Sequence, residues 1–144
     1  MGGGDRPVGQ GRPPNADEQA LYERALEVAQ SAYAPYSGFR VGAVVSAASG
    51  HEYAGVNVEN ASHPVGQCAE RVALGTAVTA GERDVAAAAV ASPDGEALPC
   101  GACLQALSEF GDPLVVARAD GGVRVWRLRE LLRAPFPPPS ERAR

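Results

Sequence analysis

Cys68-Ala69-Glu70 and Pro99-Cys100-Gly101-Ala102-Cys103 decide the reading of this chain, and between them they hold all three of its cysteines. Cys100 and Cys103 stand in a C-x-x-C spacing, which lets two thiolates at the start of one helical turn grip a single ion. Cys68 reaches in from a separate element as the third ligand. Three thiolates on zinc leave one tetrahedral position open, the mark of a catalytic rather than a closed structural centre. Glu70 places a carboxylate beside that position without being a ligand. It is suited to take a proton from water there and return it to a substrate.

The same residues admit other readings at this point. A C-x-x-C is also a redox pair, which leaves Cys68 unexplained. A disulfide leaves one thiol unpaired. A structural zinc centre needs a fourth protein ligand; of the two histidines, His51 and His63, the latter lies nearer a cysteine in sequence.

Outward from these motifs the chain is ordinary for a globular protein. At 144 residues it has room for one domain with a real core, and its 45% hydrophobic and 21% charged fractions are unremarkable. A net charge of −4 argues against nucleic acid and anionic membrane surfaces as partners. No apolar run approaches the roughly 20 residues that span a bilayer, and no signal-peptide apolar region is visible at the start. Free thiols in a metal-holding pattern suit a reducing cytoplasm.

Residues 1–15 are rich in Gly, Pro and Arg and are expected to form a loose tail. Asn15 or Asp17 caps a first helix, on which Leu21, Tyr22, Ala25, Leu26, Val28 and Ala29 recur at helical spacing. That helix is expected to reach about Tyr33 and to be stopped by Pro35. Phe39–Ala47 and Glu52–Val58 read as a hairpin around Ala48-Ser49-Gly50. Cys68 opens a helix that Gly81 ends. Val85–Ala91 is a short apolar run suited to a buried strand. Cys100 opens a third helix, to about Phe110. Pro113–Ala119 and Val123–Trp126 are two strands around Asp120-Gly121-Gly122, and Arg127–Arg133 is a short last helix. The pattern predicts an α/β fold, a three-layer α/β/α sandwich around a mixed sheet of five strands. Residues 16–138 form its domain, and 139–144 a loose end.

Four ordered motifs carry a family resemblance. Ala34-Pro35-Tyr36-Ser37-Gly38-Phe39-Arg40-Val41-Gly42-Ala43, Gly55-Val56-Asn57-Val58-Glu59-Asn60-Ala61-Ser62, Cys68-Ala69-Glu70-Arg71 and Pro99-Cys100-Gly101-Ala102-Cys103 are similar, in order and spacing, to those of cytidine deaminases. Leu131 to Phe136 resembles the family's C-terminal segment, so the resemblance runs over residues 17–138.

The resemblance implies one Zn2+ per chain on Cys68, Cys100 and Cys103. It implies hydrolytic deamination of cytidine or deoxycytidine to uridine or deoxyuridine with release of ammonia, a pyrimidine-salvage reaction. Glu70 is then the proton carrier, Phe39 lies against the pyrimidine, and Asn57 and Glu59 take the ribose. The backbone of Ala69 faces the ring carbonyl, and Arg71 offsets thiolate charge. The resemblance also implies a homotetramer in which Phe136 contacts a neighbouring subunit's site.

Two departures stand out. Leu104 occupies a position where the family carries Arg, and His63-Pro64 stands where it carries Tyr-Gly. Blasticidin-S deaminase, a related enzyme, resembles the stretch from Cys68 to Ala77, so a modified cytosine nucleoside is the alternative substrate. A non-catalytic zinc-binding relative is the other alternative, and Glu70 argues against it.

Overall fold

The computed structural model of the chain describes residues 9–139. The expectations for residues 1–8 and 140–144 lie outside the described residues. The described chain forms α1 (Ala16–Val28), β1 (Gly42–Ala47), β2 (Glu52–Val56), α2 (Ala69–Thr79), β3 (Val85–Ala91), α3 (Gly101–Ser108), β4 (Leu114–Ala119), β5 (Gly122–Arg127) and α4 (Leu128–Leu131). The strands make one sheet in the order β2-β1-β3-β4-β5. Only β3 and β4 run parallel, so the sheet is mixed as expected.

Asn15 is the cap of α1. Its side chain accepts the Glu18 N–H at 2.8 Å, and the Glu18 carboxylate accepts the Asn15 N–H at 2.9 Å, so each satisfies a donor the helix leaves open. The helix ends earlier than its apolar spacing predicts. After Val28 it tightens into a 3-10 turn, Ala29–Ser31. The reason is tertiary: Tyr33 donates its N–H to the Asn57 carbonyl and accepts the Glu59 N–H, which draws its backbone into a bridge beside β2.

Alternation along β1 sorts the core into two layers. Ala43 and Val45 face Ala69, Ala73, Leu74 and Ala77 of α2 together with Leu104 and Leu107 of α3. Val44 faces Leu21, Tyr22 and Ala25 of α1. Helices therefore cover both faces, which is why β3 reads as a nearly continuous apolar run. Two glycines set how closely the helices approach. A Cβ at Gly42 would lie 2.1 Å from the Ala25 carbonyl oxygen, and one at Gly55 would lie 2.4 Å from the Ala73 nitrogen.

Composition predicts a loose tail as far as residue 15, but the chain is held from Arg12 onward. Arg12 exchanges backbone hydrogen bonds with Val125 on edge strand β5. Its guanidinium grips both Glu18 oxygens at 2.8 Å. A specific ion pair and a free sheet edge supply what the tail's own composition lacks. Among the described residues no helix is long and apolar enough to cross a membrane.

Candidate active site

Topology brings the three cysteines together. Helix α2 runs down to the start of β3, β3 runs back, and α3 begins where β3 ends and runs down again to reach β4, which is parallel to β3. The two helices therefore begin at the same end of the sheet, the C-terminal end of β3, where α/β folds commonly build sites. Cys68 is the N-cap residue of α2 and Cys100 that of α3, both with extended backbone. Neither thiol serves as a capping group, so both remain available to an ion.

The Sγ atoms of Cys68, Cys100 and Cys103 all lie within 4.8 Å of one another, and those of Cys100 and Cys103 are 3.7 Å apart. A tetrahedral ion with Zn–S bonds of about 2.3 Å places its sulfur ligands about 3.8 Å apart, so the donor set fits zinc. The disulfide reading fails on the same distance, since a bond needs about 2.05 Å. Among the described residues no His, Asp or Glu joins the three thiols as a fourth ligand. His63 lies on the wall of the adjoining cavity instead.

Glu70 follows in the first turn of α2 and is buried, with 6% of its surface exposed. Burial pushes its carboxyl above the ordinary range, against opposing pulls from its own N–H, from Cys103 and from Arg71. Cys103 is also buried, and burial together with the negative charges of Glu70 and Cys68 drives its thiol strongly upward. Cys100 goes the other way, because the N–H groups of Cys103 and Ala102 at the start of α3 favour its thiolate. The Arg71 Nη2 lies 3.6 Å from the Cys68 Sγ. Leu104 is buried in the core between α2, α3 and the sheet, so its side chain brings no charge toward the thiols.

A cavity of about 500 Å³ opens over the thiols. Phe39, Asn57, Glu59, Ala69 and Glu70 all border it, as does His63. Asn57 and Glu59 are already engaged with the preceding loop. The Asn57 amide accepts the Val41 N–H at 2.9 Å and donates to the Phe39 carbonyl at 2.8 Å. Glu59 accepts the N–H groups of Tyr36 and Ser37 and the Ser37 hydroxyl. One N–H and one lone pair on Asn57, and one lone-pair position on Glu59, are left over by these bonds.

Phe136 lies elsewhere. It is 65% exposed and borders a separate hollow with Asp112 and Arg129. The Gln105 side chain holds its backbone from both sides, donating to the Phe136 carbonyl at 3.0 Å and accepting its N–H at 2.8 Å. Sequence reasoning missed the far wall of the cavity: Val90 at the end of β3, then Glu96, Ala97 and Leu98 on the loop into α3. No local signal marks them, since they become a wall only when that loop folds against Phe39.

Comparisons with known proteins identify the family and the fold. A family model described as the cytidine and deoxycytidylate deaminase zinc-binding region matches residues 15–119. A cytidine deaminase of Halalkalibacterium halodurans is 37% identical over 124 residues, covering 83% of this chain and 94% of the relative. One of Mycobacterium tuberculosis is 38% identical over 120 residues, covering 83% and 89%. The crystal structure of cytidine deaminase from Burkholderia pseudomallei superposes with a TM-score of 0.75 at 44% identity, covering 82% of this chain and 98% of that one.

Proposed function

The chain belongs to the cytidine and deoxycytidylate deaminase zinc-binding family, and on that premise we propose that it deaminates cytidine and deoxycytidine by hydrolysis, yielding uridine or deoxyuridine and ammonia. One observation carries the proposal: a buried carboxylate, Glu70, beside three converging thiols at the floor of a cavity sized for a nucleoside. A redox pair or a structural centre has no use for that carboxylate.

Zinc held by Cys68, Cys100 and Cys103 supplies the Lewis acidity that makes water acidic near neutral pH. Glu70 accepts the proton of the attacking water and delivers it to ring N3 as the new C4–O bond forms. It then takes the proton of the new C4 hydroxyl and passes it to the exocyclic nitrogen; the C4–N bond breaks as the C4 carbonyl forms, and ammonia leaves. The buried position of Glu70 on the cavity, at the start of α2 beside the thiols, supports its role in both transfers. Phe39 packs on the pyrimidine, the backbone at Ala69 addresses the ring carbonyl, and the spare hydrogen-bonding positions of Asn57 and Glu59 take the ribose hydroxyls. Arg71 reduces the charge the three thiolates concentrate.

We also propose that the enzyme works as a homotetramer in the cytoplasm, with Phe136 presented to a neighbouring subunit. Its exposed ring and its backbone, fixed by Gln105, support that reading. A second substrate reading, a modified cytosine nucleoside such as blasticidin S, is favoured by His63 on the cavity wall.

The test is ammonia release by the zinc-loaded protein with cytidine, deoxycytidine and blasticidin S side by side, and Glu70→Gln as control. Turnover of cytidine or deoxycytidine that the substitution abolishes supports the proposal. Turnover of blasticidin S alone moves it to the second reading. Silence on all three from a protein holding one zinc per chain refutes it.

A further inference from the structure

Phe39 is held in an unusual way. Its ring rests on Gly95, where a Cβ would come within 3.0 Å of the Phe39 Cε2. Three side chains hold the backbone around it. Ser37 Oγ accepts the Phe39 N–H at 3.0 Å, Asn57 spans the Phe39 carbonyl and the Val41 N–H, and Asp94 accepts the Arg40 N–H at 2.9 Å. Asp94 alone comes from the opposite wall, the loop that goes on to supply Glu96, Ala97 and Leu98 to the cavity.

The link is doubled by charge. The Arg40 guanidinium donates from Nε to Asp94 Oδ2 at 3.0 Å and from Nη2 to Oδ1 at 2.9 Å, a two-pronged pair. The Asp94 N–H is in turn received by Ser92 Oγ at 3.0 Å, and Ser92 is buried at the foot of the loop. On the other side of Gly95, Glu96 accepts the Gly121 N–H at 2.8 Å. The residue that bears the ring is thus pinned on both flanks. Arg40 holds the Asp94 carboxyl down at about 2, so the pair stays charged at any pH where the enzyme works.

We propose that Arg40 and Asp94 are a positioning pair that locks Phe39 and the 92–98 loop into one rigid wall, and that this wall sets the affinity for the substrate's base. The inference rests on the deaminase reading of the cavity. The thiols and Glu70 sit at the starts of α2 and α3, outside the residues that the pair joins. Loosening the wall therefore weakens ground state and transition state alike, which raises KM and leaves kcat in place.

The test uses the full-length zinc-loaded protein and the variants Asp94→Ala, Asp94→Asn, Arg40→Ala and the double alanine. Cytidine kinetics and amide hydrogen exchange are measured on each. Asp94→Ala removes three hydrogen bonds and is expected to raise KM about tenfold with kcat within about twofold of wild type. Arg40→Ala keeps the backbone bond to Asp94 and is expected to raise KM by about threefold. Asp94→Asn also keeps that bond and falls between the two.

Adding Arg40→Ala to Asp94→Ala removes only the long bond from Arg40 Nη1 to Gln30 Oε1 at 3.3 Å, outside the wall, and leaves KM within about twofold of Asp94→Ala. Segments 37–41 and 92–98 exchange faster in Asp94→Ala. An unchanged KM, a fall in kcat at constant KM, or additive effects of the two alanines overturns the proposal. A wild-type protein that does not turn over cytidine sinks the deaminase reading instead. The exchange arm still judges the pair in that case: wild-type protection of both segments in Asp94→Ala refutes the rigid wall, and its loss supports it.

Discussion

Gly55→Ala tests whether the site depends on how closely α2 sits on the sheet. The added methyl would lie 2.4 Å from the Ala73 nitrogen and 2.6 Å from the Ala69 carbonyl oxygen. Neither atom is the end of a flexible side chain, so the helix itself has to move. Reaching an ordinary contact of about 3.5 Å takes a shift of about 1 Å at the first turns of α2. Cys68 and Glu70 ride on that turn, whereas Cys100 and Cys103 ride on α3. The substitution therefore moves one thiol and the carboxylate relative to the other two thiols. Overpacking of this kind costs about 1–3 kcal/mol, or roughly 3–10 °C in melting temperature for a chain of this size. A 1 Å misplacement of reacting groups costs about a hundredfold in rate.

Gly42→Ala is the matched control. Its methyl would meet the Ala25 carbonyl oxygen at 2.1 Å, on α1 and the opposite face of the sheet. It should destabilise at least as much while leaving the surviving folded protein its zinc and its kcat. The assay is melting temperature, zinc content and cytidine kinetics at a temperature where all three proteins are folded. Gly55→Ala with wild-type zinc content and kcat/KM within about threefold of wild type would refute the coupling between helix approach and site geometry.

Glu70→Gln is expected to lower kcat by about 10²–10⁴ with zinc content unchanged, measured by turnover and metal analysis. Cys103→Ser is expected to lose zinc and activity together, and chelation of the wild-type protein should lower both its melting temperature and its turnover. Glu18 is held below its ordinary value of 4.5, chiefly by Arg12. Its contribution to stability is therefore complete above that value and is lost as pH falls below it. Melting temperature should drop more steeply on acidification in wild type than in Arg12→Ala. Phe136→Ala should reduce kcat/KM without changing zinc content, and sedimentation should show a tetramer; a fully active monomer would refute the shared site.

The thiol triad and its carboxylate were legible in the sequence because metal chemistry restricts ligand type and spacing so tightly. Even so, the C-x-x-C, the third cysteine and the nearby glutamate alone left redox, disulfide and structural-centre readings open, and it was the order of four family-like motifs that chose among them. The hairpin and the buried strand were legible because residue period and turn residues are local signals. The early end of α1 was not, because a bond between Tyr33 and Asn57 decides it rather than helix propensity. The hold on Arg12 was not, because composition reports average burial and cannot see one guanidinium meeting Glu18 and a free sheet edge. The Arg40–Asp94 pair joins residues far apart in sequence, and nothing at either position alone marks it.

What sets the tolerance of this fold is the smallness of its core residues. Ala69, Ala73 and Ala77 form the inner stripe of α2, Ala25 lies on the inner face of α1 with Ala29 on the turn that follows it, and Ala88, Ala89 and Ala91 fill β3, all of them buried. With Gly42 and Gly55 between them, backbone meets backbone across both helix–sheet interfaces. Large side chains transmit a local change by rotating into a new rotamer and absorbing it; backbones in contact have no rotamer to change. Any added volume at these interfaces becomes a rigid displacement of a whole helix, and on one face the displaced helix, α2, bears Cys68 and Glu70 at the very end where the contact falls. The close approach that lets a chain with few aromatic residues build a dense core is also what fixes the distance between the two thiol-bearing helix starts. Stability and site geometry are therefore set by the same contacts on the α2 face and are separable on the α1 face.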